Sequence, residues 1–303
     1  MQDEFLPPQR IGFIGLGNMG APMARHLANA GYPLTVADSN AATLEKFCGS
    51  VQCERARSLA ELGRSCRLVI TMLPDGGAVR QVVLGDRGVA AGLAPGSVVL
   101  DMTSAEPVGT RELGVRLAEA SISLVDAPVS GGVKRAVDGA LAIMAGGVPA
   151  AIARCSPVFA RLGKVFVVGG PGSGHAVKAL NNYLSAVALA ATAEAMMAGE
   201  RFGIDPAKML EILNHSTGRN TATDQKYPAF VLPRTFNSGF ALGLMAKDLR
   251  IARGLATAVG TPCSLLNECS ELYDHAEHLL GFGADNTEIV KYLETLGAAH
   301  GTE

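Results

Sequence analysis

Short apolar runs alternate with amphipathic stretches through the first half of the chain. Five of these runs have the length and composition of buried strands, and they lie at residues 10–14, 34–37, 68–73, 97–100 and 122–125. Helical patterns separate them, which predicts βαβ units and therefore an α/β fold with a doubly wound parallel sheet. Two later runs, at residues 141–144 and 165–168, predict further strands at the sheet edge.

The pattern changes near residue 170. A glycine-rich loop precedes an Ala-, Leu- and Met-rich stretch from about residue 175 to 202, which predicts one long buried helix. Asp205 and Pro206 then give the N-cap-and-proline start of another helix. Further helical patterns follow at residues 239–259, 262–280 and 287–296. We therefore predict a sheet domain over residues 1–170 and an all-α domain over residues 171–303, joined by the long helix.

Composition and charge exclude several classes of protein. The 303 residues suffice for about two domains, and 26 basic against 28 acidic side chains offer no patch for nucleic acid or anionic lipid. The longest apolar stretch, residues 184–199, is too short and too polar to span a bilayer. The first ten residues have no apolar signal segment, and the six cysteines show no metal-ligand spacing. We expect a cytoplasmic protein without a metal and without nucleic-acid or membrane partners.

Glycine is the compositional outlier. The chain has 36 glycines, about 12% of its residues against a typical value of about 7%. No Gly-X-Y period is present, so the excess predicts tight turns and places where something approaches the backbone closely.

The first such place is a glycine motif between the first strand and a helix predicted over residues 18–30. It consists of Gly15, Leu16, Gly17, Asn18, Met19 and Gly20. Gly15 permits a tight turn, Gly17 a close approach of pyrophosphate, and Gly20 close packing of helix against strand. The motif predicts dinucleotide binding at the start of a Rossmann-type domain; the alternative is a plain glycine turn.

Further candidate cofactor contacts follow the next strands. Asp38 ends the second strand, where a carboxylate hydrogen-bonds the adenosine ribose and repels a 2′-phosphate, so we expect NAD rather than NADP. The alternative is a solvated loop aspartate. Leu73 and Pro74 follow the third strand, and Thr103 and Ser104 follow the fourth, at the sheet edge where cofactors gather.

Two groups of residues suit chemistry on a small acid. Ser130, Gly131 and Gly132 follow the fifth strand and can offer successive backbone N–H groups and a hydroxyl to a carboxylate, although a plain turn also favours serine and glycine. Lys178 and Asn182 are four residues apart, so they share one face of the long helix. A lysine in an apolar helix either has a role that justifies its burial or extends its ammonium to the surface, and the pattern alone does not decide.

Four segments in order along the chain resemble the β-hydroxyacid dehydrogenases, in particular the 3-hydroxyisobutyrate dehydrogenase group: residues 15–20, 126–147, 172–196 and 239–249. The resemblance covers nearly the whole chain. It implies a Rossmann domain, an interdomain helix and an all-α domain that forms a homodimer or homotetramer. It also implies hydride transfer between NAD and a small 3-hydroxy acid.

Residue by residue, the resemblance makes Lys178 the general acid and base and Asn182 a substrate-positioning residue. It makes Ser130, Gly131 and Gly132 the loop that binds the substrate carboxylate. Lys247 matches a lysine on the nicotinamide side, whereas Asp248 is interpreted as its structural partner. Phe240 matches an aromatic residue that lines the cleft, although a place in the core is nearly as good an interpretation. His175 is interpreted as a cap of the long helix.

Departures from the family pattern leave the substrate open. Asp38 and Ser39 stand where many relatives have Asn-Arg, and Ala78 replaces an asparagine on the cofactor side. Thr221 stands where valine-pathway members tend to have tryptophan, which favours larger or polyhydroxylated acids such as glycerate or threonate. The alternatives are a reductase of tartronate, glyoxylate or succinic semialdehyde, and a non-catalytic interaction module of the same fold.

Overall fold

The computed structural model of the protein describes residues 4–299, and these form two compact units. One unit ends at Lys178 and the other begins at Ala179, so the long helix starts in the first and continues in the second. The predicted division at residues 170 and 171 stays a prediction, because this one helix is shared by both units.

Over residues 4–172, the first unit contains nine strands and eight α-helices. Its strands are β1 (Ile11–Ile14), β2 (Leu34–Ala37), β3 (Glu54–Arg55), β4 (Leu68–Thr71), β5 (Val98–Asp101), β6 (Ser123–Asp126), β7 (Val129–Ser130), β8 (Leu141–Gly147) and β9 (Gly163–Gly169). Its helices are α1 (Gly20–Asn29), α2 (Ala41–Cys48), α3 (Leu59–Ser65), α4 (Gly76–Leu84), α5 (Pro107–Glu119), α6 (Gly132–Val137), α7 (Pro149–Arg154) and α8 (Ser156–Leu162), with a 3-10 turn at Val89–Ala91.

The sheet confirms the predicted doubly wound core. Strands β3, β2, β1, β4, β5 and β6 lie side by side in that order, and every neighbouring pair among them is parallel. The chain order reverses at β1, between β2 and β4, which is where open α/β sheets bind their ligands. The glycine motif follows β1 directly.

The late strands differ from the prediction in one respect. Strand β8 runs antiparallel to β6 and β7, and β9 pairs with the other side of β8. Of these two late strands, only β9 lies at the sheet edge, and the sheet is mixed rather than wholly parallel. Strands β3 and β7 were not predicted, because a two-residue strand leaves no periodic signal.

Apolar side chains cover both faces of the sheet. In β4, Leu68 and Ile70 belong to the buried cluster on one face, while Val69 belongs to the cluster on the other. Alternate residues of a strand point to opposite faces, so a strand covered on both sides reads as one continuous apolar run. This is why the central strands were visible in the sequence.

The second unit is helical. It contains most of α9 (Ser173–Phe202), followed by α10 (Pro206–Asn214), a π-helix (Ala222–Val231), α11 (Leu242–Ala258), α12 (Ser264–Leu280), a 3-10 turn (Asn286–Glu288) and α13 (Ile289–Ala299). Ala186, Leu189 and Ala193 of α9 belong to its buried cluster, together with Leu249 and Tyr273. The predicted helices match these elements within a few residues, but the π-helix was missed. Within residues 4–299, no helix combines the length and apolar composition needed to cross a membrane.

Two glycines let the start of α9 approach the sheet. A Cβ atom built on Gly174 would lie 2.2 Å from the carbonyl oxygen of Met144 in β8. A Cβ atom on Gly146 would lie 2.8 Å from the backbone nitrogen of Gly174. Any side chain at these positions therefore pushes the first turn of α9 away from β8.

We expect Gly174→Ala to lower the free energy of unfolding by about 1–3 kcal/mol, because the added methyl overpacks this contact. The measurement is urea unfolding. Gly170→Ala is the matched control, since a Cβ atom there meets no heavy atom within 4 Å. Equal stabilities of the two variants would contradict the close approach.

Candidate active site

The glycine motif forms a turn that is closed on two sides and open on one. Gly15 has φ +96°, and its Cβ atom would lie 2.1 Å from the carbonyl oxygen of Met72. A Cβ atom on Gly20 would lie 1.9 Å from the carbonyl oxygen of Gly15. A Cβ atom on Gly17 would meet nothing within 4 Å, so the open side of the turn faces free space. Gly15 and Gly20 are thus required by packing, whereas Gly17 leaves room for a ligand.

The start of α1 lies at the same turn. Met19 occupies the N-cap position and no side chain caps the helix, so the positive end of its dipole is open to an anion. Ala21 N–H donates to the Gly17 carbonyl oxygen, and Pro22 has no N–H. Asn18 completes the turn, and the side chain of Leu16 is buried below it. The geometry fits the pyrophosphate of a dinucleotide.

Asp38 follows β2 and lies beside this turn. Its Oδ2 accepts a hydrogen bond from the Leu16 backbone N–H at 2.7 Å, and its Oδ1 accepts one from Asn40 N–H at 2.8 Å. The carboxylate is therefore held in a fixed orientation next to the glycine motif, as expected for a residue that reads a ribose.

The loops after β4 and β5 are joined by hydrogen bonds. Leu73 N–H donates to Thr103 Oγ1 at 3.0 Å. Asp101, at the end of β5, accepts from Thr71 Oγ1 at 2.8 Å and from Thr103 N–H at 3.0 Å. Pro74 and Ser104 continue the two loops. The four predicted residues thus come from one ordered edge of the sheet, organised by an aspartate that the sequence analysis did not single out.

The predicted carboxylate loop lies between β7 and α6. Ser130 ends β7, where it pairs with Ala142 of β8, and Gly131 and Gly132 follow with φ values of +126° and +67°. Glycine adopts such positive φ values without steric cost, which explains the two glycines at this turn. A Cβ atom on Gly132 would meet nothing within 4 Å. This backbone can receive a carboxylate.

The first turn of α9 is held by Asp126, at the end of β6. Gly172 N–H donates to its Oδ1 at 2.7 Å, and His175 N–H donates to its Oδ2 at 3.0 Å. Asp126 is fully buried, and this burial raises the pKa of its carboxyl above the ordinary 3.8, while His175 and the backbone donors act in the opposite direction. The cap of α9 is therefore Asp126, and the interpretation of His175 as the cap was wrong.

The His175 side chain has a different role. Its Nε2 donates to the carbonyl oxygen of Thr103 at 2.9 Å, and its Nδ1 lies 2.7 Å from Thr110 Oγ1 in α5. The buried imidazole therefore connects the start of α9 to the loop after β5.

Lys178 and Asn182 lie on the next turns of α9. Lys178 is only 7% exposed, so it does not extend its ammonium to the surface, and this decides the question that the sequence left open. Asn182 is equally buried, and its Nδ2 donates to Asp248 Oδ2 at 2.5 Å. The two side chains share one helix face, as their spacing predicted.

Lys247 and Phe240 belong to the helical unit. Lys247 Nζ lies 3.2 Å from Asp248 Oδ1, so Asp248 pairs with Lys247 as interpreted and also orients Asn182. Phe240 is partly buried against the helical core. The predicted places of Lys247 at the nicotinamide and of Phe240 in the cleft stay predictions. Among residues 4–299, no three His, Cys, Asp or Glu side chains are grouped as a metal site.

Two family models together match nearly the whole chain. The one described as the NAD binding domain of 6-phosphogluconate dehydrogenase matches residues 10–170. The one described as NAD-binding of NADP-dependent 3-hydroxyisobutyrate dehydrogenase matches residues 172–293.

Known proteins are similar over the same length. The 2-(hydroxymethyl)glutarate dehydrogenase of Eubacterium barkeri is 35% identical over 95% of this chain and 95% of its own. The NAD-dependent L-serine dehydrogenase of Pseudomonas aeruginosa is 36% identical over 85% of this chain and 89% of its own. The structure of Mycobacterium tuberculosis 3-hydroxyisobutyrate dehydrogenase with L-serine has a TM-score of 0.88 at 30% identity, and the match covers 94% of this chain and 99% of that one. The similarity extends well beyond the motifs.

We expect Asp126→Asn to lower the free energy of unfolding by about 1–3 kcal/mol, because an amide cannot accept from both N–H groups. The pKa of Asp126 is raised on folding, so the folded protein holds this proton more tightly than the unfolded chain does. The stability advantage of the native carboxyl therefore shrinks as pH rises through the interval above 3.8. Urea unfolding between pH 3.5 and 7 measures the free energy of unfolding of the native protein and of Asp126→Asn.

Asp138→Asn is the control for this pH series, because the Asp138 side chain is 53% exposed. It is expected to show neither the loss nor the pH trend. An advantage of Asp126 that grows with pH would contradict the raised pKa.

Proposed function

The chain belongs to the β-hydroxyacid dehydrogenase family, and we propose that Lys178 serves it as general acid and base in the NAD-dependent oxidation of a small 3-hydroxy acid. Family membership makes the protein an NAD(P)-dependent hydroxyacid oxidoreductase. The observation that carries the proposal is the burial of Lys178 on the α9 face that it shares with Asn182.

The residues at the sheet edge fit a dinucleotide. The open space above Gly17, the uncapped start of α1 and the fixed Asp38 carboxylate suit its pyrophosphate and ribose. The residues that would hold it are Gly15 to Gly20, Asp38, Leu73, Pro74, Thr103, Ser104 and Lys247. When bound, the nicotinamide supplies the acceptor for a hydride from the hydroxyl-bearing carbon.

Asp38 supports NAD as the cofactor. A carboxylate hydrogen-bonds the two ribose hydroxyls but lies too close to a 2′-phosphate, whose charge it repels. Asp38 is already oriented by the Leu16 and Asn40 N–H groups, so it cannot turn away from that phosphate without losing both hydrogen bonds.

The proton moves through Lys178. Oxidation of the alcohol removes a hydride from carbon and a proton from the hydroxyl oxygen, and the neutral amine of Lys178 accepts that proton. In the reverse direction the ammonium returns the proton to the oxygen as the carbonyl is reduced.

The other residues position the substrate. Asn182, oriented by Asp248, holds the acid next to Lys178, and the Ser130 hydroxyl with the backbone N–H groups of Gly131 and Gly132 binds its carboxylate. Fixing the carboxylate decides which carbon faces the cofactor, and such orientation is a large part of catalysis.

The substrate class follows from the chemistry of the relatives. 2-(Hydroxymethyl)glutarate, L-serine and 3-hydroxyisobutyrate each carry a hydroxymethyl group on the carbon next to a carboxylate. We propose that this chain takes the same 3-hydroxy acid unit. Reduction of the matching semialdehyde is the reverse reaction and uses the same residues.

A homodimer or homotetramer in the cytoplasm is the remaining part of the proposal. The side chains of Leu184, Phe202 and Leu265 in the helical unit are 66%, 87% and 60% exposed, and a second copy would cover such apolar surface. All six cysteines carry free thiols, which suits a reducing compartment.

Lys178→Ala is expected to lower kcat by about 10²–10⁴-fold, because no other group is proposed to take the hydroxyl proton. NADH formation measures turnover, and calorimetry measures NAD binding, which is expected to persist. Lys208→Ala is the control, since Lys208 is exposed on α10. Turnover retained by Lys178→Ala would refute the role.

Steady-state kinetics with the two cofactors test Asp38. We expect kcat/KM to be at least about tenfold higher with NAD than with NADP, because the Asp38 carboxylate repels the charge of a 2′-phosphate. Asp38→Ala is expected to reduce the preference, and Asp86→Ala, on an exposed turn, to leave it intact. A preference of the native protein for NADP would overturn the assignment.

A further inference from the structure

A second lysine reaches the face of α9 that carries the catalytic pair. Lys226 Nζ donates to Ser185 Oγ at 3.1 Å. Ser185 follows Asn182 by three residues and Lys178 by seven, and at 3.6 residues per turn all three lie on one face. The ammonium of Lys226 therefore lies one turn beyond Asn182 along this face.

The π-helix that contains Lys226 is aligned with α9 by a second contact. Asn220 Nδ2 donates to Thr192 Oγ1 at 3.3 Å, while its Oδ1 accepts from Ala222 N–H at 2.8 Å at the start of the π-helix. Thr192 follows Ser185 by seven residues and lies on the same face of α9. The segment thus runs antiparallel to α9, from Thr192 toward Asn182. Stretches of π-helix are rare and are frequent at functional sites.

Lys226 keeps its charge without a carboxylate partner. Its Nζ donates to the neutral hydroxyl of Ser185. No carboxylate oxygen of residues 4–299 lies within ion-pair distance of this Nζ. Burial lowers the pKa of Lys226 to about 8, with the charge of Asp285 acting in the opposite direction, so the ammonium form still dominates at pH 7.

Asp285 is the acidic group that acts on Lys226, and it is engaged elsewhere. Its carboxylate accepts from Ser238 Oγ, Gly239 N–H and Thr287 N–H. A partly desolvated ammonium that forms no ion pair within residues 4–299 is a ready partner for an anionic group of a ligand.

We propose that Lys226 and Ser185 form a subsite for a second carboxylate, carried by the substituent on C2 of the 3-hydroxy acid. The inference rests on the proposed function, because it takes the reacting hydroxyl to lie at Lys178 and Asn182. Ser185 lies about 4.5 Å farther along the helix axis than Asn182. An arm of two methylene groups with a terminal carboxylate has a comparable length, so the preferred substrates are 2-substituted 3-hydroxy dicarboxylic acids.

The experiment compares kcat/KM for 2-(hydroxymethyl)glutarate and 3-hydroxyisobutyrate, which share the reacting unit and differ in the second carboxylate. The native protein is expected to prefer the dicarboxylate. Lys226→Met is expected to lower that preference by about 10- to 100-fold, mainly through KM, because a hydrogen bond to a charged group is lost. Lys226→Arg is expected to retain most of the preference, and Lys208→Met all of it.

Binding of glutarate to the NAD-loaded protein separates the subsite from the chemistry. Calorimetry is expected to show binding that Ser185→Ala weakens and Lys226→Met weakens further. If Lys226→Met changed neither the substrate preference nor the affinity for glutarate, the subsite would be overturned and the proposed function would remain. Turnover of neither acid would overturn the proposed function, and Lys226-dependent glutarate binding would then still support the subsite.

Discussion

The buried carboxylate of Asp126 holds the first turn of α9 against the end of β6, and the placement of Lys178 depends on it. Its two oxygens accept hydrogen bonds from the backbone N–H groups of Gly172 and His175, at the start of the helix. We call these two hydrogen bonds the Asp126 clamp. Lys178 lies three residues after His175, within one helical turn of this clamp. A shift of Asp126 is therefore transmitted to the lysine through a rigid helix rather than through a flexible loop.

The same clamp explains the small residues around it. Gly146 of β8 and Gly174 of α9 leave no room for side chains because helix and strand meet backbone to backbone. His175 then extends the connection to Thr103, whose hydroxyl accepts from Leu73. The proposed cofactor loops and the proposed catalytic helix thus belong to one hydrogen-bonded network within the sheet unit.

The sequence predicted the features that depend on residues close together along the chain, and it missed those that depend on contacts between distant residues. The central strands were visible because both faces are covered, and the spacing of Lys178 and Asn182 was visible because helices repeat. The antiparallel direction of β8 leaves no trace in its own residues. The sequence did not reveal the role of Asp126, because an aspartate after a strand is common. Its two hydrogen bonds join residues that are 46 or more positions apart along the chain.

The π-helix shows the same limit in the helical unit. Its Pro228 and polar side chains suggest a loop, and no periodicity at 3.6 residues reveals that Lys226 meets Ser185. The proposed proton transfer and the proposed carboxylate subsite therefore lie on different elements. Lys178 and Asn182 lie on α9. Lys226 lies on the π-helix, and its side chain and that of Asn220 donate hydrogen bonds to Ser185 and Thr192 of α9. If the subsite is as proposed, substitutions in the π-helix change the substituent that is accepted and leave intact the hydrogen bonds of Asp126 that hold the start of α9.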